Sequence, residues 1–253
     1  MKQIPYYQRF GEGKETLILL HSGGMAGVEW QPQIPILSKR YQLLVPDLPG
    51  HGKTLLSDER LTIAKLGESV LAMMDDANIE KGHICGSSMG AATAMWLNLN
   101  YPEKVDKAIF YRISYQKNVE TYQQTRNMSD PAYWKKFGLH KWLSELHFPQ
   151  GGEDAWERVI ASVSEALDPT ESEHAHTLDA FSKITNPVLL VAGDRDPVAP
   201  LEDILALYRT IPNSGLWVLP YADHITATNT WRAQAFAEEI LRFLTRVERD
   251  KMI

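Results

Sequence analysis

The sequence predicts the α/β class: a mostly parallel central sheet with helices on both faces. Three observations predict it. Short apolar runs recur along the chain, and helix-like segments separate them. The runs are continuously apolar rather than alternating, as in Thr16-Leu17-Ile18-Leu19-Leu20 and Val188-Leu189-Leu190-Val191-Ala192. Strands covered on both faces read that way. A glycine-flanked serine, in Gly86-Ser87-Ser88-Met89-Gly90, stands between the apolar run His83-Ile84-Cys85 and a helix-like run from Ala91 to Leu97.

The elements follow in order. Residues 3–10 and 16–20 read as strands joined by the turn Gly11-Glu12-Gly13-Lys14. The loop His21-Ser22-Gly23-Gly24-Met25-Ala26-Gly27 then opens into a helical stretch around Glu29–Leu37. Residues 41–46 form a strand and Asp47-Leu48-Pro49-Gly50-His51-Gly52 a loop. Residues 62–76 carry apolar positions at helical spacing. The Ser88 strand, its turn and a helix through about Asn98 come next, then a strand at Lys107–Tyr111. Strands at 188–192 and 216–219 flank a helix near 201–210, and residues 230–247 close the chain as an amphipathic helix. Its apolar face carries Trp231, Phe236, Ile240, Phe243 and Leu244.

Residues 113–183 break the rhythm. Helix-like pieces there are punctuated by Pro131, Pro149, Gly151-Gly152 and Pro169, with no convincing strand. This segment reads as a helical insertion between two parts of one core, residues 1–112 and 184–253. Three of the seven tryptophans, Trp134, Trp142 and Trp156, lie in it.

Bulk composition narrows the function. With 253 residues the chain can bury one large core plus a modest insertion. Its 44% hydrophobic and 23% charged content is that of an ordinary globular protein. A net charge of −6 without a Lys/Arg block argues against nucleic acid or an anionic membrane as partner. Cys85 is the single cysteine, so no intramolecular disulfide forms, which fits a reducing compartment. The first fifteen residues lack the apolar core of a signal peptide and no run would span a bilayer, so a cytoplasmic protein is expected.

The chemistry centres on Ser88. A Gly-x-Ser-x-Gly frame at a strand-to-helix turn is a nucleophile elbow, and the frame selects Ser88 over Ser87. A serine hydroxyl needs a base to take its proton and an acid to orient that base. Two later loops supply them: Gly193-Asp194-Arg195-Asp196-Pro197-Val198-Ala199-Pro200, and Pro220-Tyr221-Ala222-Asp223-His224.

HSGGMAG, DLPGHG, GSSMG, GDRDPVAP and ADH stand in that order along the chain. Together they resemble the α/β-hydrolase-fold serine hydrolases, over nearly the whole length outside the insertion. The resemblance implies an α/β-hydrolase fold with a helical cap inserted after the sixth core strand. It also implies a catalytic triad of Ser88, Asp196 and His224, with Asp194 in a structural role. The oxyanion donors it implies are the amides of Met89 and Gly23, with Gly24 as the alternative because Ser22 replaces the family's usual glycine. His21 and His51 would serve loop structure, while His83 would pack in the sheet. The histidines of the insertion, His140, His147, His174 and His176, carry no assigned role, and His174-Ala175-His176 reads as a solvated pair. Arg112, Trp134 and Trp142 are the candidate substrate-binding residues. No metal or other cofactor is expected. The expected reaction is cleavage of a small-to-medium carboxylic ester through an acyl-enzyme. Carbon–carbon bond hydrolysis of diketone-like acids and a ligand receptor with little turnover are the alternatives.

Overall fold

The computed structural model describes residues 3–56, 60–115, 118–169, 176–225 and 232–246. Seven strands form one sheet in the order β1-β3-β2-β4-β5-β6-β7. They are β1 (Tyr7–Phe10), β2 (Thr16–Leu20), β3 (Gln42–Pro46), β4 (Gly82–Ser87), β5 (Val105–Tyr111), β6 (Val188–Gly193) and β7 (Ser214–Leu219). Only β1 runs antiparallel to its neighbour β3; every other pair is parallel.

The helices in chain order are α1 (Ile34–Leu37), α2 (Ile63–Asp76), α3 (Met89–Asn100), α4 (Val119–Met128), α5 (Pro131–Lys136), α6 (His140–His147), α7 (Ala155–Ala166), α8 (Leu178–Ser182), α9 (Leu201–Thr210) and α10 (Ala233–Thr245). Alternate residues of each central strand feed opposite cores. Ile18 and Leu20 face the apolar cluster built with α2, α3 and α9. Leu17 and Leu19 face the one built with α1 and α10. That division explains why the β2 run is apolar throughout. Phe236, Ile240 and Leu244 of α10 are buried as the spacing predicts; Trp231 lies outside the described residues.

Three expectations change. The first strand begins at Tyr7 rather than residue 3. The main chain just before it is tied to loops instead, Tyr6 accepting from the Asp47 amide at 2.9 Å and donating to Thr54 Oγ1 at 2.8 Å. The stretch Glu29–Leu37 is not one helix but a 3₁₀ turn at Gly27–Trp30 followed by the single turn α1. Pro32 and Pro35 remove the amides a continuous helix would need. Among the described residues the helical insertion follows β5, the fifth strand in chain order rather than the sixth.

Helices α4 to α8 follow β5, and part of this layer has its own small core of Trp134, Leu143, Trp156 and Ile160. This layer lies over the loops that follow β2 and β3. His147 and Gln150 hydrogen-bond the loops' backbone there.

Candidate active site

The sheet order places the chemistry. The chain leaves β3 on one side of β2 and returns as β4 on the other, so the C-terminal ends of β2 and β4 flank a topological switch point. Leu20 pairs with Gly86, so the loop from His21 and the turn at Ser88 emerge side by side. β5, β6 and β7 follow in sequence, and their loops bring Arg112, Asp196 and His224 to the same edge.

Ser88 has φ 52° and ψ −113°, a strained left-handed backbone for a residue with a side chain. Its amide donates to the Tyr111 carbonyl at 2.9 Å, and its own carbonyl accepts from Ala92 to start α3. The turn is close-packed on both sides. A Cβ at Gly86 would collide with the Gly90 carbonyl, and one at Gly90 with the Leu20 carbonyl. The two glycines of the frame are therefore steric requirements.

Ser88 Oγ lies 2.9 Å from His224 Nε2, and His224 Nδ1 lies 2.8 Å from Asp196 Oδ2. The other Asp196 oxygen accepts from the amides of Val198 and Ala199 at 2.8 and 2.9 Å. Burial alone would raise the Asp196 carboxyl, but His224 and these two amides outweigh it and hold it below its ordinary value. A carboxylate so held fixes the imidazole with its proton on Nδ1 and leaves Nε2 free to accept from the serine. Asp194 does a different job. It accepts from the Ala222 amide at 3.0 Å, and its carboxyl is lowered first by the backbone of Tyr221. It ties the loop after β6 to the loop after β7.

The two candidate oxyanion glycines now separate. The Gly24 amide donates to His51 Nε2 at 3.1 Å. The Gly23 amide has no such acceptor among the described residues, and both Gly23 and Ser88 line a cavity of about 500 Å³. Met89 opens α3 directly after the serine, where the first helical amides have no intrahelical acceptor.

A family model for the alpha/beta hydrolase fold matches residues 15–141. The chain belongs to the α/β hydrolase family. It is 28% identical over 209 residues to 3-oxoadipate enol-lactonase 1 of Acinetobacter baylyi, covering 76% of this chain and 75% of that one. It is 35% identical over 269 residues to a 2-hydroxy-6-oxo-6-phenylhexa-2,4-dienoate hydrolase of Burkholderia cepacia, covering 92% and 88%. An alpha/beta hydrolase from a Medee basin deep-sea metagenome library shares the fold with a TM-score of 0.83 at 16% identity, over 98% of this chain and 96% of that one.

In this α/β hydrolase Arg112 occupies an unexpected setting. It has φ 59°, and its side chain turns into the floor of the 500 Å³ cavity. Its guanidinium donates to Glu29 Oε1 at 3.1 Å, to Ser87 Oγ at 2.5 Å and to the carbonyl of His224. Arg112 and Glu29 side chains are only 6% and 5% exposed. Glu29 also accepts from the Ser22 amide at 2.6 Å and from Ser22 Oγ. The ion-pair partner of Arg112 is thus Glu29, an acid of the core rather than of the insertion. Sequence reasoning missed Glu29. The signal was a lone acid between Val28 and Trp30, in the segment leaving a glycine-rich loop.

The remaining cavity wall is apolar: Met25, Met128, Trp134, Leu139, Trp142 and Ile225. Trp134 and Trp142 therefore line the space beside the serine, and the Trp134 indole N–H donates to the Met128 carbonyl at 2.6 Å. A second, more polar hollow of about 500 Å³ lies beside it, lined among others by Gln124, Asn127, Asp130 and Lys136. Met128, His224 and Ile225 border both spaces.

His21, His51 and His147 form a buried cluster, with ring centroids 5.0 Å apart for the first pair, which is tilted, and 5.9 Å for the second, which meets edge-on. Burial lowers the pKa of all three, His147 to about 4. His21 and His51 serve loop structure as the motifs imply; His147, from the insertion, had no assigned role. Burial raises the thiol of Cys85 far above its ordinary range, which makes it inert as a nucleophile. His176 packs edge-on against Phe181, and His174 lies outside the described residues.

Among the described residues, one group has metal-ligand types together: Glu15, His83 and Asp106. It sits at the opposite end of the sheet from Ser88. The two carboxylates approach different ring nitrogens of His83, at 3.7 and 3.3 Å, and also face Arg40 and Lys81. His83 itself is packed in the sheet against Tyr41. Among the described residues no helix is long and apolar enough to cross a membrane.

Proposed function

We propose that this α/β hydrolase is a serine esterase acting on an uncharged carboxylic ester or lactone of small-to-medium size. Ser88 Oγ attacks the acyl carbonyl as His224 Nε2 takes its proton. Asp196 stabilises the imidazolium that forms. The oxyanion is received by the amides of Gly23 and Met89, which develop their strongest hydrogen bonds as charge builds on the oxygen. The imidazolium then protonates the leaving alcohol. Water, deprotonated by His224, attacks the acyl-enzyme and releases the acid. The apolar cavity suits the acyl chain, and the adjoining polar hollow suits the leaving group. Met128 and His224 stand at the boundary, where the scissile bond would lie.

One observation carries the choice of an uncharged substrate. Among the described residues lining the apolar cavity Arg112 is the one Lys or Arg, and Glu29 matches its charge at 3.1 Å. A substrate carboxylate bound there would meet Glu29 as well as Arg112, and like charges in a buried site repel strongly. Carbon–carbon hydrolysis of a diketone-like acid would bring a carboxylate to this site, as would the dienoate for which the Burkholderia cepacia relative is named, and is the weaker reading for this reason. Turnover of p-nitrophenyl esters of rising acyl length, beside a diketone acid and a carboxylate-bearing lactone, tests the reading. Specificity constants should rise over the first few methylenes, each contributing up to about 0.8 kcal/mol, and then fall as the cavity fills. Faster cleavage of the diketone acid than of any ester would reverse the assignment. Absence of turnover throughout would favour a receptor.

A further inference from the structure

We propose that His147, carried by the cap helix α6, is a positioning residue for the oxyanion loop, so that seating of the cap sets the catalytic geometry. This rests on the serine-hydrolase reading above.

The loop Ser22-Gly23-Gly24 has two glycines in succession, and Gly24 sits at φ 75°. Without Cβ atoms such a backbone samples many orientations, and a donor amide in it is fixed only by outside contacts. Here three consecutive peptide groups are each held by a different imidazole. The Ser22 carbonyl accepts from His21 Nδ1 at 2.8 Å and from the Met25 amide at 3.1 Å. The trans peptide then aims the Gly23 N–H the opposite way. The next peptide is held through the Gly24 amide, which donates to His51 Nε2 at 3.1 Å. The third is held through the Gly24 carbonyl, 2.9 Å from His147 Nε2.

The tautomers follow from the backbone partners. The amides of Leu48, Gly24 and Gly52 donate to His21 Nε2, His51 Nε2 and His147 Nδ1 respectively. The proton of His147 is therefore on Nε2, pointing at the Gly24 carbonyl. His21 and His51 come from the core and are in place whatever the cap does. His147 is 123 residues from Gly24 and reaches it only when the cap is seated. Gln150, in the same cap segment, anchors to the carbonyls of Gly52 and Thr54 at 2.8 and 2.9 Å without touching the oxyanion loop. Among the described residues the cap thus has one hydrogen bond to the loop that bears the donor amide, beside the apolar packing of Val163 and Ile160 on its glycines, and a separate tie that does not touch that loop.

Three variants separate positioning from simple anchoring. In H147N the short amide reaches the Nδ1 position and keeps an acceptor for Gly52, but loses the donor to Gly24. In H147Q the longer amide reaches the Nε2 position and keeps that donor. Q150A removes a cap anchor and spares the oxyanion loop. The readout is the second-order rate of Ser88 phosphonylation by a fluorophosphonate, which builds charge on the oxyanion oxygen and needs no known substrate. Affinity for a trifluoromethyl ketone is measured alongside. Loss of a whole oxyanion donor costs about 10²–10³ in rate, so a displaced one should cost H147N about tenfold or more in both readouts. H147Q should recover most of that loss, and Q150A should stay within about threefold of wild type. Equal slowing of H147N and H147Q, or slowing of Q150A to match H147N, would overturn the positioning role while leaving the serine-hydrolase reading intact. If H147N is too unstable to assay, H147Q slowed tenfold while Q150A is not would also overturn it. A wild-type chain that takes no label would sink both.

Discussion

Replacing Glu29 by glutamine is the sharpest test of the buried charge pair. The carboxylate accepts from the Ser22 amide, Ser22 Oγ and Arg112 Nη2, at 2.6 to 3.1 Å. Glutamine offers one acceptor oxygen and one NH₂, so at least one of these donors must face another donor. Arg112 meanwhile keeps its charge in a site where it is 6% exposed. Removing one partner of a buried ion pair costs about 3–5 kcal/mol. For a domain of this size each kcal/mol lowers Tm by about 2–4 °C, so E29Q should melt about 6–20 °C below wild type. Calorimetry or circular dichroism reads this directly. The variant should also change substrate preference. With its counter-charge gone, Arg112 becomes a free cation in the cavity floor, and a charge-assisted hydrogen bond to a substrate carboxylate is worth about 1.5–3 kcal/mol. The kcat/KM for a p-nitrophenyl hemisuccinate, relative to the butyrate ester, should therefore rise about tenfold or more. A Tm within 2 °C of wild type (roughly 1 kcal/mol or less), with an unchanged ester ratio, would refute both the buried pair's role and the case for uncharged substrates.

The remaining expectations concern the triad and the histidine cluster. S88A should abolish fluorophosphonate labelling and lower kcat by about 10⁴ or more while keeping the fold; labelling that survives S88A but not S87A would move the nucleophile. D196N should lower kcat by several orders of magnitude, on the order of 10⁴ where the histidine tautomer is lost. D194N, which loses a loop tie, should chiefly lower Tm, and the opposite pattern in steady-state kinetics would exchange their roles. His147 makes stability pH-dependent. Its pKa is about 4 in the folded chain against 6.5 as an ordinary histidine. The unfolded chain therefore takes up the proton first, and the stabilisation is complete above pH 6.5 and lost as pH falls through 4. A difference of that size corresponds to about 3 kcal/mol. Urea unfolding of H147Q should lose its share of that slope, and an unchanged slope would show that His147 is not held neutral.

What the sequence determined by itself is the part that depends on local patterns. Continuous apolar runs set the doubly covered strands. The Gly86 and Gly90 spacing around Ser88 set the elbow, because those positions tolerate no side chain. The choice of Asp196 over Asp194 came from the family resemblance rather than from spacing, and in the structure it is Asp196 that meets His224 and the amides of Val198 and Ala199. The tertiary structure decided what depends on contacts across the chain. Gly23 and Gly24 are adjacent and chemically alike, and only the arrival of His51, 27 residues on, consumes one amide and leaves the other. That Arg112 carries a buried counter-charge was likewise invisible until folding brought Glu29, 83 residues away, against it. His147 reads as one more histidine of a polar insertion until the cap folds down and sets its ring against the oxyanion loop. Periodicity and spacing encode which backbone a segment adopts. The partner of a buried polar group is fixed only when packing removes water and obliges each donor and acceptor to find another within the protein.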